Sequence, residues 1–308
     1  MKSTEPSYDI QTKMEELAAQ IRHHRFLYYV LSRPEISDNA FDSLFHELED
    51  LEKLYPLLAN PDSPTKEVGA APSTEFKPIQ HRVPMLSLSN ATSDEDLVKW
   101  QERLDDKMSK SSLAEDLSYV CELKIDGLSI ALTYVRGVLA QGATRGNGEV
   151  GEDITLNLKT LPSVPHKLTT PSKSGAAGIN KIPEILEVRG EVYMPKESFA
   201  ALNEQLSNND QPLFANPRNA ASGSLRQKDP RQTIKRNLAF FAYFAYVIDP
   251  DLSEPESHFA TLSLLEDFGF TVDPHRRLAR DVQEVIAYCR EWELKRHQLS
   301  YQTDGVVI

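Results

Sequence analysis

Seven residues near the middle of the chain, Cys121-Glu122-Leu123-Lys124-Ile125-Asp126-Gly127, restrict the fold more than any other stretch. With Tyr119 before them, Cys121, Leu123 and Ile125 fall on one face. Glu122, Lys124 and Asp126 fall on the other, and Gly127 ends the run. A period of two is the period of a β-strand, so the chain must contain a sheet with this strand in it. A lysine between two carboxylates has two readings. One is a solvated strand face with a loose ion pair. The other is a nucleophilic lysine at the bottom of a cleft. A lysine nucleophile must lose its proton, and neighbouring carboxylates oppose that loss. The second reading therefore requires cations from elsewhere in the chain, or a metal.

A length of 308 residues suggests two domains, or one large and one small. No run of 18 apolar residues occurs, and Met1 to Ser7 is polar, so neither a membrane span nor a secretory leader is expected. Cys121 and Cys289 are the two cysteines. They point to a reducing, cytoplasmic compartment and against a structural zinc site, which needs about four N or S ligands. The net charge of −12 argues against a general nucleic-acid-binding surface. Between Asn216 and Asn237, however, Arg218, Arg226, Lys228, Arg231, Lys235 and Arg236 face a single acid, Asp229. Such a local basic face can hold phosphates.

The spacing of Ile10, Met14, Leu17 and Ile21 predicts a helix over residues 8 to 31, broken at Pro34. Ser37 or Asp38 caps a second helix through Tyr55, striped by Phe41, Leu44, Phe45, Leu48 and Leu51. The two make a helical hairpin. The proline-rich residues 56 to 84 read as an ordered connecting loop. Thr92-x-x-Glu95 has the form of a capping box and opens a helix to about Met108. Strands Leu128 to Val135 and Val138 to Thr144 flank a turn at Arg136-Gly137. Residues 169 to 183 read as a surface loop. Ile185 to Met194 reads as a strand with Glu187, Arg189, Glu191 and Tyr193 on one face. Leu238 to Ile248 reads as an aromatic-rich strand, Leu262 to Phe268 and Val282 to Lys295 as helices, and Asp304 onward as a strand. Gly146-Asn147-Gly148-Glu149-Val150-Gly151 matches G-x-G-x-x-G, but hairpins surround it instead of a βαβ unit. It is expected to be no dinucleotide-binding loop.

Lys124-Ile125-Asp126-Gly127 resembles the K-x-D-G nucleophile motif of the covalent nucleotidyltransferases, which comprise DNA ligases, RNA ligases and capping enzymes. The segments Pro84 to Leu88, Ala143 to Gly146, Gly151 to Thr155, Leu186 to Val192, Ala215 to Ala221, Gly223 to Arg226 and Thr303 to Ile308 resemble those of bacterial NAD-dependent DNA ligases in order and spacing. The resemblance implies an α+β chain: an N-terminal helical hairpin followed by a mixed, largely antiparallel β nucleotidyltransferase domain of the ATP-grasp-like ligase type. It implies a helical domain with its linker over residues 1–70, which binds the nicotinamide mononucleotide (NMN) half of NAD. The adenylation domain follows over 71–308.

By the same resemblance Lys124, Asp126 and Asp304 are the catalytic group. Lys124 attacks the α-phosphate of NAD, keeps AMP and releases NMN. Arg145, Arg218, Arg226 and Arg296 supply the cations around phosphates and ribose. Glu122, Ser87 and Leu88 lie at the adenine. Tyr243 either stacks on the adenine or is a core aromatic. Glu191 bonds the ribose. Tyr28, Asp38, Asn39, Ala40, Phe41 and Asp42 hold the NMN half. Tyr29 and Phe41 depart from the family's usual histidine and tyrosine, and Phe41 can stack but not hydrogen-bond. Mg2+ is the implied metal, with no dedicated set of protein ligands; Zn2+ belongs to a C-terminal part outside this chain. NAD, NMN, AMP and nicked double-stranded DNA are the implied partners of a bacterial, cytoplasmic monomer. Glu152 and Asp153 serve the site or cap a helix near Ile154. Arg231, Lys235 and Arg236 are either a solvated face or a DNA contact. The family continues after Ile308 with a lysine on the α-phosphate, so this stretch is expected to be an N-terminal fragment that binds NAD, self-adenylates slowly or not at all, and seals no nicks. The competing readings are an ATP-using ligase or capping-type transferase, and a nucleotide-binding domain without chemistry.

Overall fold

The computed structural model describes residues 5–25, 27, 35–60, 62–66, 76–110, 117–171 and 178–308. In chain order the elements are α1 (Glu5–Arg25), α2 (Asp38–Leu54), β1 (Pro78–Gln80), α3 (Asp94–Lys110), β2 (Tyr119–Ile125), β3 (Leu128–Val135), β4 (Val138–Thr144), β5 (Val150–Glu152), α4 (Thr155–Leu158), β6 (Ile185–Tyr193), α5 (Lys196–Ser207), α6 (Pro217–Leu225), α7 (Pro230–Ile234), β7 (Ala239–Ile248), α8 (His258–Asp267), β8 (Arg277–Ala279), α9 (Val282–Lys295) and β9 (Thr303–Val307). They divide into two compact units, Met1–Ser87 with Ala143–Asp153, and Leu88–Gly142 with Ile154–Ile308.

In the first unit α1 and α2 form the expected hairpin. Met14, Leu17 and Ile21 recur at helical spacing and bury against Leu48, with Phe41, Leu44, Phe45 and Leu51 packed around them. Ser37 caps α2, its Oγ accepting from Ala40 N at 3.3 Å. The helix expected to reach residue 31 is described only to Arg25; Tyr28, Tyr29 and Pro34 lie outside the described residues. The proline-rich connector is not all loop. Pro78–Gln80 pairs antiparallel with β5, and Ile79 is buried. Three residues are too few to show a period, and proline is tolerated at the first position of a strand. Residues 146 to 151 turn back into β5, with Asn147 Oδ1 accepting from Glu149 N and Val150 N at 3.0 and 2.7 Å. Gly146 has φ +57°, and a Cβ there would lie 1.9 Å from the Val150 carbonyl oxygen. A strand follows this glycine loop where a dinucleotide-binding loop needs a helix, as the sequence implied.

The second unit holds a four-stranded sheet of order β4-β3-β6-β7 and a three-stranded sheet of order β8-β2-β9. The turn joining β3 and β4 has positive φ at both central residues, 49° at Arg136 and 78° at Gly137, which matches the twist of a tight hairpin. β2 is central in its sheet, antiparallel to both neighbours. Its apolar face, Tyr119, Cys121 and Leu123, packs against Val285, Tyr288 and Trp292 of α9. The cap of α3 sits one residue later than expected. Ser93 Oγ accepts from Asp96 N, and the Asp96 carboxylate reaches back to Thr92 N and Oγ1, each at 3.1 Å. Ile154 precedes α4, and Glu152 is buried in β5. α8 begins four residues before the expected Leu262, because Ser257 caps it with Oγ accepting from Ala260 N at 3.2 Å.

Candidate active site

Lys124 stands near the end of β2 with its side chain about half exposed. Across the sheet Lys124 pairs with Gly305, but Ile125 pairs with Thr303. Asp304 is the extra residue of a β-bulge, a device that re-aims one side chain out of the strand's alternation. Its Oδ2 accepts from Lys124 Nζ at 2.5 Å. The chain then turns. Asp126 N donates to Gln302 O at 2.9 Å. A Cβ on Gly127 would meet the Val192 carbonyl oxygen at 2.3 Å, so this position admits only glycine without movement.

The required cation comes from α6. Asn216 caps that helix, its Oδ1 accepting from Asn219 N at 2.8 Å, and Pro217 occupies the first turn. Arg218 follows, and its Nη1 lies 3.3 Å from Asp126 Oδ1. Burial pushes the Asp126 carboxyl above the usual carboxylate range, and Arg218 pulls it back. Glu191 on β6 faces Ser129 on β3, whose Oγ donates to Glu191 Oε2 at 2.6 Å. Burial pushes Glu191 up to about 7, against the opposing pull of Ser129, Arg218 and Lys124. Lys124, Asp126, Glu191, Arg218 and Asp304 thus form one electrostatic group. It balances a lysine and an arginine against three carboxylates, two of them made harder to ionise by burial. The solvated-face reading of Glu122, Lys124 and Asp126 fails at Glu122, which is buried.

Glu122 has a partner that the sequence reading missed. His258, the first residue of α8, meets Glu122 Oε2 through Nε2 at 2.5 Å. Its ring lies nearly parallel to Phe244, with 5.8 Å between centroids and 16° between planes. The only signal in the sequence was Ser257, a helix-capping residue immediately before it. Tyr243 is the extra residue of a second bulge: Gly190 pairs with Ala242, Arg189 with Phe244, and Tyr243 falls between. It is half-buried.

The structure places the other expected site residues as follows. In the first unit Arg145 Nη2 donates to Ser87 Oγ at 2.8 Å. Leu88 is 68% exposed. Arg226 ends α6 and bonds Ser222 Oγ at 3.3 Å. Arg296 is exposed at the start of a short 3-10 turn after α9. Arg231 pairs with Asp229 at 2.9 Å. On α2 Asn39, Ala40 and Asp42 are exposed, while Phe41 is half-buried and packs near Phe45. Asp38 is described only as the first residue of α2, and Tyr28 lies outside the described residues. His23, His24 and Glu35 bring potential metal-ligand atoms within 4.8 Å of one another in the hairpin unit. The two cysteines are free, Cys121 buried and Cys289 half-buried. Among the described residues no helix is long and apolar enough to cross a membrane.

Comparison with known proteins bears on the whole chain. Residues 73–308 match the family model described as the NAD-dependent DNA ligase adenylation domain. Residues 7–69 match the model of the DNA ligase-like, N-terminal NAD+-binding domain. Similar proteins include the DNA ligase of Natranaerobius thermophilus, 46% identical over 98% of this chain and 43% of the relative. The DNA ligase of Gloeobacter violaceus is 44% identical over 100% of this chain and 43% of its own length. That of Herpetosiphon aurantiacus is 49% identical over 93% and 40%. The chain therefore spans less than half the length of these curated relatives.

Proposed function

Because the chain belongs to the NAD-dependent DNA ligase family, we propose that it binds NAD as substrate and that Lys124 is the residue adenylated. Lys124 Nζ attacks the α-phosphorus of NAD. A nitrogen–phosphorus bond forms, the pyrophosphate P–O bond breaks, and NMN departs with that oxygen. The observation that carries the reading is the 2.5 Å contact between Lys124 Nζ and Asp304 Oδ2. It supplies an acceptor for the proton that Nζ must lose. Arg218, with Arg145, Arg226 and Arg296, offsets phosphate charge through forked donors. Glu122 accepts from the adenine edge, Ser87 and Leu88 adjoin the base, Tyr243 stacks on it, and Glu191 bonds the ribose hydroxyls. The hairpin residues Tyr28, Asp38, Asn39, Ala40, Phe41 and Asp42 hold the NMN half. In the second stage the AMP passes to a DNA 5′-phosphate, with Arg231, Lys235 and Arg236 along the backbone.

Asp126 and Asp304 fit a role toward Mg2+. They are partly exposed carboxylates, hard oxygen donors of the kind that ion takes alongside substrate phosphates. When bound there, the ion neutralises phosphate charge. The protein's own share is positioning: β2 and its turn fix Nζ, and α6 fixes Arg218.

Parallel calorimetric titration with NAD, NMN and ATP tests the cofactor. NAD should bind and ATP should not; the reverse would move the chain to the ATP-using relatives. Intact-mass analysis after incubation with NAD tests the chemistry. Any AMP adduct that forms should map to Lys124 and be absent from K124A, and an adduct on another residue would overturn the assignment.

A further inference from the structure

We infer that His258 is a specificity-determining residue, which pins the Glu122 carboxylate so that the site accepts a purine carrying a 6-amino group and rejects one carrying a 6-oxo group. The inference rests on the reading that Glu122 faces the adenine, and it adds a reason for base selectivity that Glu122 alone does not provide.

Glu122 and His258 are 136 positions apart and meet at 2.5 Å. A carboxylate only accepts, so the imidazole donates from Nε2. That contact takes Oε2 and leaves Oε1 for the base. Both ends of the pair are held. Glu122 lies within β2, between Cys121 and Leu123, which are both buried in the core. His258 is fixed at the start of α8 by the Ser257 cap and by its near-parallel stack on Phe244. Phe244 in turn lies 4.8 Å from Tyr246, and Tyr246 lies beneath the Arg189 guanidinium at 4.7 Å. One face of the imidazole thus rests on Phe244 of β7, and its Nε2 edge is turned to the carboxylate.

A pinned carboxylate discriminates because it cannot withdraw. An incoming 6-amino group donates to Oε1. An incoming 6-oxo group sets lone pairs against lone pairs, which leaves both acceptors buried and unpaired, and such mismatches weigh more than a lost contact. A carboxylate released from His258 can swing away from the 6-oxo group, and selectivity falls.

The test compares the Kd of this chain for NAD with that for nicotinamide hypoxanthine dinucleotide. The parent chain should prefer NAD. His258→Phe keeps the stack on Phe244 and removes the donor. It should shift the ratio of the two constants toward equality by about tenfold or more, on the scale of one charge-assisted hydrogen bond. His258→Gln restores a donor near the Nε2 position and should recover most of the preference, which a purely structural role for the ring would not. Circular dichroism checks that each variant is folded. If Glu122→Gln changes the ratio and H258F does not, the inference falls while the adenine reading stands. If neither changes it, both fall.

Discussion

Asp304 reaches Lys124 only because it is the surplus residue between Gly305, which pairs with Lys124, and Thr303, which pairs with Ile125. In regular pairing the alternation of β9 would govern where the Asp304 side chain points; the bulge frees it from that rule. Asp304→Asn keeps the shape and removes the proposed proton acceptor. Single-turnover adenylation followed by intact mass should slow by about a hundredfold or more, the usual scale for loss of a proton acceptor. The affinity for NAD should change little.

Glu191 gives a pH dependence whose sign is fixed. Its folded value is raised to about 7 from an ordinary 4.5. The folded state therefore holds the proton more tightly than the unfolded state. The associated stability is fully present below about pH 4.5 and is lost as pH rises toward and through 7. Glu191→Gln should be more stable than the parent above pH 7, by up to about 3 kcal/mol, and much closer to it at pH 4. Urea melts at the two pH values check this. NAD affinity should rise as pH passes through about 7 in the parent, when Glu191 becomes an acceptor, and that rise should be weaker in E191Q.

The two glycines of the site should behave differently. A Cβ on Gly127 would lie 2.3 Å from Val192 O and 2.9 Å from Glu191 Cγ, whereas one on Gly305 would meet nothing within 4 Å. Gly127→Ala should cost about 2 kcal/mol or more, because backbone must move to admit it. Gly305→Ala should stay within about 0.5 kcal/mol of the parent. Chemical denaturation distinguishes the two.

Arg218 and Asp126 should show a measurable coupling. Their side chains are only 22% and 21% exposed, at 3.3 Å. Arg218→Met leaves a largely buried carboxylate without its cation and should destabilise by about 1–3 kcal/mol, less than for a fully buried pair. Adding Asp126→Asn should recover part of that loss, and a double-mutant cycle should return a coupling of about 1–2 kcal/mol.

What the sequence disclosed divides along physical lines. Period-two and helical spacing are local signals, and they located β2, β3, β4, β6, α2 and α9 to within a residue or two of their ends. Short elements gave no window for a period, so β1 was hidden among prolines. The cap of α3 was displaced by one because Thr92 and Ser93 offer the same chemistry, and only geometry decides which oxygen reaches the helix. Both bulges were invisible, since a surplus residue is defined by what lies across the sheet. His258 was missed for a related reason. Its partner is remote in sequence, and the helix start that orients it was read four residues late. The carboxylates and the cation of the Lys124 group were visible as residue types, but their pairing of Asp304 to Lys124 and Arg218 to Asp126 was not.

The distance along the chain between Lys124 and Asp304, 180 positions, has a consequence for how the protein is made. Synthesis runs from the N-terminus, and domains tend to fold as their residues emerge. β2 leaves the ribosome early, but its partners β8 and β9 come only after α8 and on either side of α9. Until then both edges of the central strand lack their neighbours, and an open strand edge is a template for pairing with the wrong chain. Lys124 and Asp304 can meet only after long-range closure, the slowest kind of contact to form. In a nascent chain the Lys124 group is therefore completed late, and the most vulnerable interval for misassembly is the one in which the lysine strand waits for β9.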